Sequence, residues 1–260
     1  MTRNRLWLLL AVCALPVLSA CGGGGEEQTN EASSEAPAAD TGAAVDTANA
    51  GKVTGAITYN GPDTDTPIAM NADPTCAGLH TTPVDTNAIA VKDTKLANVF
   101  VYVKTGLEGK SFPTPTEKKT LDQQGCLYSP RIQGLQVGQA LTIKNSDPTL
   151  HNIHALPTVN TEFNQGQPFK DMSFDKTFDK PEVMVHFKCD VHPWMSSYVG
   201  VLSHPYYAVT GDDGSFTIEN LPAGNYTLEA WHESLGTMTQ DVTVAANGTA
   251  TANFDFKPKA

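Results

Sequence analysis

Val183-Met184-Val185-His186-Phe187-Lys188-Cys189-Asp190-Val191-His192-Pro193-Trp194-Met195 alternates apolar and polar side chains from Val185 to Cys189, then breaks into a short loop. A period of two is the mark of a strand with one buried face, so Cys189 closes a strand in register with its apolar positions. His192 follows at the third position and Met195 at the third after that, and β-rich sequence resumes at 197–202. The same texture recurs on both sides. Short β-rich runs separated by Gly, Pro, Asn and Asp stand at 53–59, 97–104, 140–145, 183–189, 197–202, 215–218, 226–231, 241–244 and 249–256. Helical periodicity is nearly absent. The expected fold class is therefore all-β, and 260 residues leave room for two sandwiches of ordinary size.

Upstream of the loop, Gly138-Gln139-Ala140-Leu141-Thr142-Ile143-Lys144-Asn145 reads as a strand, and Ser146 to His151-Asn152 as a loop that delivers a histidine. With the Cys, His and Met loop, this makes residues 119–202 resemble the cupredoxin family, with a ligand loop similar to those of its amicyanin and plastocyanin members. The resemblance implies a Greek-key β-sandwich holding one mononuclear copper ion. His151 would be the remote imidazole, Cys189 the thiolate, His192 the second imidazole and Met195 the axial thioether. Two imidazoles and a thiolate in a trigonal plane, weakly capped by a thioether, suit both Cu(I) and Cu(II). Little rearranges on reduction, so the implied activity is one-electron transfer without bond-making chemistry. Pro193 and Trp194 would form an apolar rim beside His192, whose ring edge would be the route to a docked partner; for Trp194, core packing is an equal reading.

The other histidines are set apart by their spacing. His154 and His186 lie three residues from His151 and Cys189, an odd separation that turns them to the opposite face of an extended chain. His204 and His232 fall outside the motif and are read as structural, and His80 offers no argument either way.

Ala208 to His232 contains Asp213-Gly214 and Pro222-Ala223-Gly224, two tight turns between alternating runs. This stretch resembles the carboxypeptidase regulatory-like, transthyretin-like β-sandwich. The opening strands usual to that module resemble 51–59 and 97–103, far upstream. Residues 52–112 and 206–260 are accordingly expected to form one sandwich, with the cupredoxin-like domain 113–205 inserted in it. Two consecutive domains are the alternative.

Arg3 and Arg5, the apolar run 6–18 and Leu18-Ser19-Ala20-Cys21 read as a signal peptide, 1–20, ending in a lipobox-like segment. The apolar run is too short for a membrane span. Cys21 would become the lipidated N-terminus of an exported, periplasmic protein, and Gly22 favours the outer membrane over the inner. Residues 21–51 are small, polar and acidic, as a flexible tether is. Of five cysteines, Cys13 leaves with the signal and Cys21 takes lipid. Cys76 and Cys126 can then form a disulfide, leaving Cys189 over; other pairings stay open. An odd thiol in an oxidising compartment needs protection, and metal ligation supplies it.

Loss of Arg3 and Arg5 takes the net charge from -11 to -13, and removing the six tether acids leaves -7 on residues 52–260. That balance disfavours nucleic acid and anionic lipid, and a partner that docks electrostatically would carry a basic surface; the cupredoxin resemblance implies a redox partner such as a c-type cytochrome. Rival readings are a zinc site, which the thioether disfavours; a copper storage or delivery protein; and a carbohydrate-binding or scaffolding sandwich. No nucleophile elbow or phosphate-binding glycine loop supports an enzyme.

Overall fold

A computed structural model describes residues 47–258, together with the backbone of a short strand, Ala43–Ala44. The signal segment, the lipidation site Cys21 and most of the tether lie outside the described residues. The last part of the expected tether is engaged with the fold: Ala43–Ala44 runs parallel to Lys110–Ser111, and Asn247 N donates to Asn49 O at 3.0 Å. Backbone pairing of this kind needs no apolar side chains, which is why composition did not disclose it.

Among the described residues, apart from a 3-10 turn at Met70–Ala72 and a short helix at Pro74–Gly78, the regular elements are strands, so the fold class is all-β. They form two sandwiches. The inner one packs a four-stranded sheet, ordered Ser173–Lys176, Leu141–Asn145, Lys119–Gln124, Leu127–Ser129, against a five-stranded sheet, ordered Phe163–Gln167, His151–Leu156, Glu182–Lys188, Ser196–Leu202, Ile132–Gln136. Between them lies a core that includes Leu121, Leu135, Leu141, Ile143, Ile153, Phe187 and Val199.

In the outer sandwich the strand Gly51–Tyr59 pairs antiparallel with Ser215–Leu221 and parallel with Thr249–Thr251 and Phe254–Phe256. Phe100–Thr105 lies between Tyr207–Val209 and Gly224–His232, with Gly236–Val244 at the edge. The run 249–256 is two strands, because Ala252 turns into the core and Asn253 Oδ1 accepts from Ala56 N at 2.9 Å. At the Asp213-Gly214 turn, Gly214 has φ +68°, and a Cβ there would stand 2.7 Å from Ile57 O. Only glycine fits that corner.

The sandwiches meet through aromatic rings laid on glycines. Gly134 and Gly200 are register partners on adjacent parallel strands. A Cβ on Gly134 would fall 2.4 Å from the Tyr207 ring, and one on Gly200 2.5 Å from the Phe100 ring. Phe100 and Tyr207 stack on each other at 5.3 Å. Glycines inside strands here let a neighbouring layer approach the backbone. Arg131 completes the contact with a two-pronged ion pair to Glu233, at 2.6 and 2.8 Å. Ile132–Gln136 is buried along its whole length, since the inner core covers one face and the outer sandwich the other. A strand buried on both faces loses the alternation by which strands are read.

The segment between Gly51–Tyr59 and Val91–Lys92 behaves differently from the rest of 52–112. Met70 and Cys76 are buried in the core of the inner sandwich.

Candidate metal centre

Cys189 follows directly on the strand Glu182–Lys188, and the chain turns back through a compact loop. Met195 N donates to His192 O at 2.9 Å, Cys189 N to Met195 O at 3.4 Å, and His192 N points at Cys189 Sγ at 3.4 Å. The spacing of Cys189, His192 and Met195 thus corresponds to one closed turn whose side chains go inward. All three are buried, and Cys189 is the one free cysteine among the described residues.

His151 comes from the neighbouring strand. It opens His151–Leu156, and so stands on a strand rather than in the preceding loop. That loop is braced by Asn145, whose Nδ2 donates to Thr149 O at 2.9 Å and Gln167 O at 2.8 Å while its Oδ1 accepts from Asp147 N at 2.9 Å. Asn152 joins the two ligand-bearing segments: its Oδ1 accepts from Asp190 N at 2.7 Å and lies 3.3 Å from Cys189 Sγ.

These supports bring donor atoms of His151, Cys189 and His192 within 4.8 Å of one another. His151 Nδ1 lies 3.0 Å from His192 Nδ1, which lies 3.8 Å from Cys189 Sγ. Met195 packs in the same core as Cys189. Each imidazole has its far nitrogen on a carboxylate: His151 Nε2 donates to Asp147 Oδ2 at 2.9 Å, and His192 Nε2 to Asp73 Oδ2 at 3.0 Å. With both Nε2 protons so placed, two Nδ1 lone pairs face each other beside a sulfur, and that arrangement requires a proton or a cation between them. Carboxylates behind histidines are the usual way of orienting imidazole metal ligands.

Electrostatics favour the ligating form of Cys189 and, in the metal-free site, the protonated form of His151, whose proton a metal would displace. Burial by itself would raise the Cys189 thiol, but hydrogen bonds from His151, from the Asn152 backbone and from the backbone N–H groups of His192 and Val191 in the loop outweigh it and hold the thiol below its ordinary range. The thiolate is the metal-binding form. Burial opposes the charged form of His151, yet Asp147 and Cys189 together raise its pKa. Asp147 is held low, because bonds from His151, Cys126 and Gly125 overcome its burial. A soft thiolate, two imidazoles and a nearby thioether fit copper in either oxidation state.

The structure corrects the expected rim. His192 is 1% exposed, so its ring edge does not face solvent. Asp73 and the disulfide Cys76–Cys126 lie over it, with Cys76 Sγ 3.5 Å from Nε2. Trp194 is half-buried against the inner core and donates from Nε1 to Cys126 O at 2.9 Å. Pro193 is exposed.

The remaining histidines lie elsewhere. His154 sits on the other face of its strand, between Asp190 at 3.0 Å and Glu162 at 2.9 Å. His186 contacts Ser196 Oγ at 2.9 Å and stacks on Tyr198. His204 donates to Val103 O at 2.9 Å, and burial lowers its pKa to about 4. His232 Nδ1 accepts from Ser234 N and Leu235 N, and His80 Nε2 donates to Gly125 O at 2.7 Å. Sequence reasoning missed both carboxylates. Asp147 had a local signal, four residues before His151 in the loop that leads to its strand. Asp73-Pro74-Thr75 reads as a helix start, but nothing in it names His192.

Residues 199–257 match the family model of the carboxypeptidase regulatory-like domain. The match begins in the last strand but one of the inner five-stranded sheet and continues through the outer sandwich. No curated protein sequence matches the chain. Among solved structures, the chain is similar to a purple cupredoxin from Nitrosopumilus maritimus, at 22% identity over 32% of this chain and 98% of that one, TM-score 0.28. It is similar also to a methionine variant of amicyanin in its Cu(I) form, at 23% identity over 32% of this chain and 81% of that one, TM-score 0.29. A copper-containing nitrite reductase from Thermus scotoductus SA-01 shares 19% identity over 39% of this chain and 25% of that one, TM-score 0.29.

Proposed function

We propose that this protein binds one copper ion through His151 Nδ1, Cys189 Sγ and His192 Nδ1, with Met195 as a weaker fourth donor, and carries single electrons. The observation that carries this reading is the pair of imidazole Nδ1 atoms 3.0 Å apart beside a buried free thiol, each imidazole held from behind by a carboxylate. When bound, copper supplies a one-electron couple. The chain's own part is to hold the donors in place and keep water away. Asp147 and Asp73 orient the two rings, Asn152 ties the His151 strand to the Cys189 loop, and two sheets exclude solvent.

The partner we propose is a redox protein with a basic surface, because residues 52–260 carry a net -7; a c-type cytochrome is the class the cupredoxin resemblance suggests. Anchoring through lipid on Cys21, in the periplasm, completes the proposal; it rests on the leader-like sequence 1–20. Burial of every donor favours a carrier over a delivery protein, whose cargo must leave.

The test is an absorption and electron paramagnetic resonance spectrum of the full chain loaded with Cu(II). Intense thiolate-to-copper charge-transfer absorption is expected, and Cys189→Ser should abolish it while leaving the far-ultraviolet circular dichroism unchanged. Absorption that survives the substitution ends the assignment.

A further inference from the structure

The 66–86 segment converges on the ring edge of His192. Asp73 serves two partners at once: Oδ1 accepts from Thr75 N at 2.7 Å and Cys76 N at 3.3 Å, capping the helix Pro74–Gly78, while Oδ2 accepts from His192 Nε2 at 3.0 Å. Cys76 is bonded to Cys126, Cys126 N donates to Asp147 Oδ2 at 2.7 Å, and that same oxygen holds His151 Nε2 at 2.9 Å. The two imidazoles meet at 3.0 Å. The result is a closed ring running from Asp73 through Cys76, Cys126, Asp147, His151 and His192 back to Asp73. One covalent cross-link therefore holds both carboxylates against both imidazoles. His80 fastens the same segment a second time, at Gly125 O.

We infer that Asp73 is a positioning residue for His192, and that the 66–86 segment, locked by Cys76–Cys126, is a cap that shuts the metal centre from solvent and slows metal exchange. This rests on the reading of His192 as a donor. The geometry requires the cap to do two things. It fixes the ring so that Nδ1, and not Nε2, faces Cys189, because Nε2–H is committed to a carboxylate. It also stands where a partner or a chelator would otherwise reach the ring edge. A docking protein then meets the cap and not the imidazole.

Asp73→Asn separates these roles from simple folding. Asparagine is as good a helix N-cap as aspartate, so Oδ1 can keep Thr75 N and Cys76 N. Its Nδ2 then confronts His192 Nε2–H, donor against donor. Asp73→Ser is a second variant that caps the helix but is too short to reach the ring. The double variant Cys76→Ser/Cys126→Ser keeps Asp73 and releases the lock.

Two measurements on the full chain test the proposal. In the metal-free protein, the His192 Nε2 proton, followed by nuclear magnetic resonance, should exchange slowly, and rapidly in Asp73→Asn and Asp73→Ser. In the Co(II)-loaded protein, transfer of metal to EDTA should be about 10- to 100-fold faster in all three variants. A rapidly exchanging His192 proton in the unsubstituted chain, or variants that release Co(II) as slowly as it does, overturns the cap. A protected proton in a chain that binds neither Co(II) nor Cu(II) upholds the positioning by Asp73 and instead overturns the copper reading.

Discussion

Asp147→Ala is the perturbation whose cost the structure defines most directly. Oδ1 accepts from Gly125 N at 2.8 Å, and Oδ2 from Cys126 N at 2.7 Å and His151 Nε2 at 2.9 Å, in a residue only 2% exposed. Alanine leaves three donors without an acceptor. A buried donor deprived of its partner costs about 1–3 kcal/mol. Gly125 is half-buried at a turn and can recover part of its loss from water, so a total of about 3–5 kcal/mol follows for the metal-free chain. That is a large share of the roughly 5–15 kcal/mol by which a domain is stable. The assay is urea unfolding of the metal-free protein at neutral pH with the disulfide intact, following Trp194 and its neighbours by fluorescence and the backbone by circular dichroism. The midpoint should fall with little change in slope, because the surface exposed on unfolding is the same. A loss below about 1 kcal/mol would refute the reasoning, since it would mean that these donors find water in the folded state.

Glu182 gives a pH prediction. Burial favours its neutral form, but hydrogen bonds from Thr158 N, Asn160 N, the Asn160 side chain and Val159 N outweigh that and hold the carboxyl at about 2. Its stabilisation is fully present above the unfolded value and is lost as pH falls through the folded one; Glu182→Gln should cost about 3 kcal/mol at pH 7 and flatten the decline in melting temperature below about pH 4.5. Gly200→Ala drives a methyl into the Phe100 ring and should cost about 1–3 kcal/mol, read as a lower melting temperature; an unchanged value would show that the sandwiches do not rest on that contact. Met195→Leu, in copper-loaded protein, should keep the charge-transfer absorption and raise the reduction potential, because a weak electron donor is lost. Loss of copper in that variant would mean that Met195 has a different role.

Much of the inner framework was legible because a strand with one wet face writes its environment into every second residue. Leu141–Asn145 and Glu182–Lys188 are such strands, and so are Ser215–Leu221 and Gly224–His232 in the outer sandwich. Lys119–Gln124, Phe163–Gln167 and Ser173–Lys176 escaped notice because their covered positions carry polar side chains, Gln123, Gln167 and Lys176, which break the apolar alternation. The loop from Cys189 to Met195 was readable for another reason. Its donors are three residues apart, so backbone turns alone bring them together.

What the sequence by itself determined was therefore local: the all-β class, the turn at Gly214, and a thiol, an imidazole and a thioether gathered in one loop. The tertiary structure alone decided the rest. Ala43–Ala44 finds Lys110–Ser111, and His192 finds Asp73 over a separation of 119 residues. Neither pairing leaves a periodic trace, because the partner that satisfies a buried ring nitrogen or a bare strand edge is chosen by the shape of the packed molecule and not by neighbours along the chain.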